Sequence, residues 1–399
     1  MVQFLSQLRK LCNEMDIPNF EDIFKQIKIN FWVFGIPYDE MKITKRYYIF
    51  LVIILSVLLV ELVFICSKLS VENLLLLTKL APCFCIGLLS MLKVVFVTKK
   101  RRNILELTTA LNRLCTEIIN NETKWNLVKK EFIFIKYLVK YFFLLNAILV
   151  LIYNFLPLVL TLYIYFSKGE KIYSLPFGVS MPYVKDYWYT YTAKYTHLIS
   201  GGFICILYIS TVDALQYILT SRICCHFTII SNEIECLDEN STHHLRDIVK
   251  RHQHLLQLSQ NLEEIFCAPN LFIVLIGSLE ICALGFSLTI GEWEQIPGVV
   301  LFLSSVFLQI FMISAFGENL IGESRKIGEA AFSCKWYKMD KKSKSTILLL
   351  MIRANRPQQL TAYKFSVISY ESFTRIIGTS WSYFTILKTV YTPPENFHE

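Results

Sequence analysis

Charge is scarce in this sequence: Asp, Glu, Lys and Arg make up 18% of its 399 residues, against 54% that are hydrophobic, which excludes an ordinary soluble domain. The patterns that carry enzyme chemistry are missing as well, since the chain has no nucleophile elbow, no phosphate loop and no paired catalytic carboxylates. A formal charge of +8 does not point to nucleic acid, because no nucleic-acid motif accompanies it and the basic residues are confined to particular loops. His243, His244, His252 and His254 lie close together but lack a zinc spacing and a Cys pair; a solvated helix is the simpler reading, and neither a metal nor another cofactor is expected. Cys83, Cys85, Cys205 and Cys282 fall in apolar runs and most of the other cysteines in basic loops, a distribution of reduced thiols rather than of a disulfide framework. The start, MVQFLSQLRK, lacks the basic, apolar, small-residue order of a cleaved signal peptide. No internal repeat of the transporter kind is present.

What the sequence has is apolar length. Seven stretches, 47–65, 74–97, 141–166, 195–219, 268–290, 297–320 and 364–391, approach the roughly 20 residues that a bilayer requires. The expected fold is therefore an all-α membrane protein with seven transmembrane helices and its termini on opposite sides. The segment up to Arg46 and the second, fourth and sixth loops carry 7, 10, 4 and 9 Lys or Arg. The other loops and the tail have only Lys68, Lys168, Lys171, Lys185 and Lys194. The positive-inside rule then places the N-terminus in the cytoplasm and the C-terminus outside. A G-protein-coupled receptor has the reverse orientation, and neither Asp-Arg-Tyr after the third span nor Asn-Pro-x-x-Tyr in the seventh is found. Two sequons, at Asn121 and Asn240, lie in loops assigned to the cytoplasm and should carry no glycan.

Residues 1–46 read as a cytoplasmic amphipathic segment, with Phe4, Leu8 and Leu11 at helical spacing. Residues 47–320 hold helices one to six, 321–363 a cytoplasmic loop and anchor helix, 364–391 the seventh helix, and 392–399 an outer tail. Apolar residues three and four apart in 103–115 and 245–266 extend the spans below the membrane as a cytoplasmic bundle. The third loop, with Pro176, Pro182 and the run Tyr187, Trp188, Tyr189, Tyr191, suits an outer cap.

The seventh stretch organises the rest. At helical spacing Arg375, Gly378, Thr379, Ser382, Thr385 and Thr389 share one face with Ile386 and Val390 beside them, while Ile377, Trp381, Phe384 and Tyr391 mark the other. A lipid-facing helix has no use for a row of hydroxyls, so the stripe meets water or neighbouring helices. Pore lining and close packing both stand. Glu280, near the middle of the fifth span, is a partner for a basic ligand, part of a wet cavity wall, or a protonated acid bonded inside the bundle. Glu61 and Lys79 lie nearer the surface and are expected to snorkel, and Glu371 with Arg375 forms a helix-surface pair.

Several blocks resemble the insect odorant receptor family: SYFTILK (382–388), FGENLIGESRKIGEAAFSCKWY (316–337), LPFGVSMPY (175–183) and HQHLLQLSQNLEEIF (252–266). The resemblance implies a tetrameric, ligand-gated, non-selective cation channel of the olfactory neuron plasma membrane. Its seventh helices surround the pore, and a tuned subunit combines with a shared coreceptor to sense small volatile molecules. The coreceptor's long insert between spans four and five is missing, so the chain resembles a tuning subunit. Gustatory receptors end in Thr-Tyr followed by Gln-Phe, whereas this chain has Ser382-Tyr383 and then Lys388-Thr389. Carried over, the pore constriction falls on Ile386, with Ser382, Thr385, Thr389 and Val390 along the same path. The ligand pocket falls in the outer half, at Phe84, Leu88, Asn154, Leu158, Thr161, Ile199, Gly202, Phe203, Ile206, Val306 and Phe307. Two alternatives remain: a metabotropic heptahelical receptor acting through a G protein, and a gustatory-type channel.

Overall fold

The structure, a computed structural model, describes residues 20–37, 42–69, 74–169, 175, 187–238, 242–290 and 296–390. In order the helices are α1 (Phe20–Val33), α2 (Lys45–Ser67), α3 (Leu74–Lys99), α4 (Arg101–Ile119), α5 (Glu122–Lys168), α6 (Trp188–Glu235), α7 (Thr242–Ile290), α8 (Ile296–Ser333) and α9 (Lys341–Ala354). A two-residue hairpin, β1 (Thr361–Ala362) with β2 (Ser366–Val367), then leads into α10 (Tyr370–Val390). Among the described residues, six helices, α2, α3 and α5 to α8, are long and apolar enough to cross a membrane. At about 1.5 Å per residue, the 47 residues of α5 span about 70 Å, more than twice a hydrocarbon core of about 30 Å. The spans therefore do continue beyond the apolar layer, toward the end where α1, α4 and α9 gather, called here the basic end.

Local chemistry sets the element boundaries. Asn121 caps α5, its side chain accepting from the backbone N–H of Lys124 at 3.2 Å and from the Thr123 hydroxyl at 2.6 Å, so the first sequon serves as a helix start. Gly169, at φ 68°, closes the far end of that helix in the left-handed conformation. At α10 the Ser369 and Ser372 side chains accept from each other's backbone N–H groups, a reciprocal cap. The expectation of helix from residue 364 is corrected here: the chain is still turning at Tyr363 and Lys364, both at positive φ, and pairs as a hairpin before the cap.

At the centre stands α6, buried on nearly every face from Tyr208 to Phe227. A helix apolar all round finds partners all round, and α6 packs on α8, α5, α7, α3, α2 and α1. Several of its polar residues are bonded across the bundle. Asp213 meets the Lys93 ammonium of α3 at 2.5 Å and accepts from Gln309 of α8 at 2.7 Å. Gln216 donates to Asn270 of α7 at 3.0 Å, and Asn30 of α1 donates to Thr211 at 2.8 Å. Glu280 is thus not the only charge deep among the spans; it is buried on α7, and its Oε1 makes no hydrogen bond among the described residues.

At the basic end, Arg222 lies over the Phe24 ring of α1 and donates to the Cys115 sulfur of α4. Burial and the nearby Arg222 push His226 down to about 4, and burial and Arg353 push His252 down to about 4. Glu233 of α6 binds both Arg251 and Lys124; burial pushes its carboxyl up, but the two cations together outweigh that and hold it below its ordinary value. The eleven cysteines among the described residues are all free.

Candidate functional site

The buried face of α2 is made by Ile54, Val57, Leu58, Glu61 and Phe64, which recur at helical spacing. Glycines let this face come close to its neighbours: a Cβ on Gly201 of α6 would lie 2.8 Å from Val57, and one on Gly87 of α3 2.8 Å from Leu58. Where α2, α3, α5, α6 and α8 fail to meet completely, a cavity of about 50 Å³ remains. Its wall is apolar, with Ile54, Val150, Cys205 and Phe302 among it, and Phe302 meets the Tyr153 ring edge-on at 5.4 Å. Two polar side chains interrupt that wall. Asn154 is 1% exposed and Glu61 2% exposed, and neither the Asn154 Oδ1 and Nδ2 atoms nor Glu61 Oε2 has a hydrogen-bond partner among the described residues. Glu61 therefore does not snorkel; the 3–4 spacing that aligns it with Ile54 and Leu58 turns it inward. Lys79's side chain lies outside the described residues.

Of the expected pocket residues, Asn154, Gly202 and Ile206 line this cavity. Phe84, Leu88 and Phe307 are half-buried against the main core, and Val306 is fully buried in it. Phe203 packs on the exposed Phe155, 6.4 Å between centroids, which turns it toward the outside of the bundle. Leu158, Thr161 and Ile199 are half-buried away from the cavity wall. Glu61, Tyr153 and Phe302 were missed. Spacing on α2 was a usable signal for Glu61, whereas Tyr153 and Phe302 are two among 51 Tyr and Phe residues, with nothing in the sequence to mark them.

The second feature is α10. One narrow stripe, Ser372, Ser380 and Phe384 with the half-buried Ile376 and Leu387, holds it to the bundle, and Phe384 joins Cys282 and Phe286 of α7 in a small cluster. Phe384 thus packs inward, on the side away from the exposed hydroxyls. Ser382, Thr385 and Thr389 are exposed, and Ile386 is 57% exposed; the side chain of Val390 lies outside the described residues. Each of these hydroxyls donates to its own helix, Ser382 to Gly378, Thr385 to Ser382 and Thr389 to Ile386, at 2.7 to 3.1 Å. The oxygens keep acceptor capacity toward water. Glu371 and Arg375 form the expected pair at 2.7 Å.

The two features are joined through α8. Phe302 faces the cavity near one end of that helix, while further along a Cβ on Gly317 would fall 2.2 Å from the Ile368 carbonyl, and Glu318 accepts the Tyr370 N–H at 3.2 Å. The contact needs glycine, and it fixes the start of α10 to the helix that borders the cavity.

The described residues form a helical membrane protein with an apolar cavity between five helices and a last helix, α10, left half uncovered. A family model described as 7tm Odorant receptor matches residues 73–381, and the chain belongs to that family. Putative odorant receptor 92a of Drosophila melanogaster is 25% identical over 345 residues, 82% of each chain. Odorant receptor 67c of the same fly is 25% identical over 348 residues, 83% of this chain and 84% of its own. Among solved structures, the insect olfactory receptor OR5 from Machilis hrabei superposes with a TM-score of 0.80 at 18% identity, covering 97% of this chain and 99% of that one. The same receptor in complex with eugenol gives 0.78. At that identity the likeness is one of fold, and it is the fold expected from the apolar stretches.

Proposed function

We propose that this chain is the odorant-tuned subunit of a heteromeric, ligand-gated, non-selective cation channel, assembled with a coreceptor in the plasma membrane of olfactory neurons. The cavity between α2, α3, α5, α6 and α8 takes a small volatile molecule, and α10 contributes one wall of a pore shared among subunits. The basic end faces the cytoplasm, as the loop charges require, and α9 belongs to an anchor there. One observation carries the reading: on α10 the hydroxyl stripe is left uncovered by the described residues of its own chain, whereas the exposed large side chains of α2 and α5 are Leu, Ile, Val, Phe and Tyr, as lipid and its interface demand. The eugenol complex of a receptor with the same fold supports a small organic ligand.

Gating follows from the contacts. A ligand that fills the cavity displaces the wall it touches, Phe302 included, and α8 transmits that displacement through Gly317 and Glu318 to the head of α10. Ile386, an apolar side chain on a hydroxyl-lined path, closes the pore by excluding water, and a modest shift of α10 rewets it. The test is whole-cell current from cells expressing the chain with and without an insect coreceptor, challenged with volatiles while G-protein signalling is blocked. A fast coreceptor-dependent cation current is expected to survive the block, and Ile386→Ser is expected to raise the basal current. A response abolished by the block would overturn the channel reading, and an endoglycosidase-sensitive glycan on Asn121 would overturn the orientation.

A further inference from the structure

The cavity is not an all-purpose apolar void. Two residues that line it, Glu61 and Asn154, carry three buried atoms without partners among the described residues: two acceptors, Glu61 Oε2 and Asn154 Oδ1, and one donor, Asn154 Nδ2. Leaving such groups unbonded is costly, so an occupant that bonds them gains much of that cost back. The occupant has to both donate and accept. An alkane offers nothing to any of the three, an ether or ketone accepts from Asn154 but leaves the acceptors bare, and an ammonium donates but leaves the Asn154 amide N–H bare.

We propose that the cavity selects small alcohols or phenols, whose single hydroxyl donates to Glu61 or Asn154 Oδ1 and accepts from Asn154 Nδ2 while the hydrocarbon body lies on the Val150 and Phe302 wall. The proposal rests on the reading of this cavity as the ligand site and adds the ligand's chemical class. Tyr195 helps to hold the geometry. Its hydroxyl donates to the Asn154 backbone carbonyl at 2.7 Å, tying α6 to α5 beside the amide without using the side-chain atoms. The small volume sets the order of fit: short or compact alcohols enter with least displacement of the wall.

The test is direct binding to the purified full-length chain in detergent, followed by ligand-observed NMR. It uses a matched series of equal heavy-atom count: a primary alcohol, its isomeric methyl ether, the alkane and the primary amine. The alcohol is expected to bind roughly ten- to a hundredfold more tightly than the ether or alkane, the range expected when a polar site is left unpaired. Asn154→Leu should erase that preference while retaining alkane binding, and Glu61→Gln, which keeps volume and hydrogen-bonding capacity, should preserve most of it. Size-exclusion profiles establish that each variant is folded. Equal binding of alcohol and ether overturns the proposal with the cavity reading intact, and so does an amine preferred tenfold over the alcohol and lost in Glu61→Gln. Alcohol binding that survives filling the cavity with Gly202→Leu and Ile206→Trp overturns the cavity reading, and the proposal with it.

Discussion

Two groups of buried polar side chains lie along α6, about 15 Å apart at a rise of about 1.5 Å per residue. Around Asp213 and Gln216 the side chains are tied to Lys93, Gln309 and Asn270 across three helices, although Asn270 Nδ2 and the Tyr217 hydroxyl have no partner among the described residues. Around Gly202 and Ile206, Glu61 and Asn154 are as deeply buried but have open atoms. Burial is the same and the degree of satisfaction differs: both Asp213 oxygens are bonded, whereas both polar atoms of the Asn154 side chain are open among the described residues, and that difference separates a fastening from a binding site. A bonded layer fixes which faces meet; an open one keeps its bonding capacity for something that is not part of the chain.

The largest effect is expected from breaking the bonded layer. Lys93→Met leaves Asp213 charged, buried and held only by Gln309, which should cost about 3–5 kcal/mol. The double variant Lys93→Met with Asp213→Leu should recover most of that loss, because replacing both members removes the unpaired charge. Denaturant or thermal unfolding in detergent measures it, with surface expression as a second readout if the single variant does not accumulate. A single variant as stable as the parent would show that the layer does not fasten the bundle.

A middle-sized effect follows from His226 and His252, which lie buried at the basic end and are held down to about 4 from the ordinary 6.5. Between those values the unfolded chain takes up protons that the folded chain refuses. Stability from this source is complete above pH 6.5 and is lost as pH falls toward 4. At pH 5 the loss should be about 2 kcal/mol for each histidine. His226→Gln and His252→Gln should each flatten the pH profile of the unfolding midpoint, and a profile unchanged by both would break the assignment.

Much of the fold was legible because its determinants are local. Apolar length marked the spans, 3–4 spacing carried them past the membrane, and the hydroxyl periodicity of α10 marked the polar stripe that its own bundle leaves exposed. The cavity was only partly legible, for a physical reason. On α2 and α5 nearly every residue is apolar, so hydropathy shows no contrast between the lipid side and the interior, and only the third dimension separates Leu59 from Leu58. Asn154 stood out because it is polar. Glu61 stood out for the same reason but was read by depth along the helix rather than by angle around it. The Lys93–Asp213 pair joins residues 120 apart in the chain, and no local pattern predicts that match. The hairpin before α10 depends on a turn at Tyr363 and Lys364, which carry none of the glycine or asparagine that usually marks one.

The smallest effect has the opposite sign and sharpens the comparison most. Asn154→Leu removes two unpaired buried atoms and replaces them with apolar surface of similar volume in an apolar cavity, so the empty protein should become more stable by about 1 kcal/mol. In the bonded layer the matching change, Gln216→Leu, strands Asn270 Oδ1 and should destabilise by a similar amount. Unfolding midpoints of the two variants, measured without ligand, are therefore expected to move in opposite directions from the parent. If both fall together, Asn154 is a fastening like Gln216, and the open atoms at the cavity are bonded in solution by something the chain itself supplies. If they diverge, the stability sacrificed at Asn154 is what the site gives up in order to recognise a ligand.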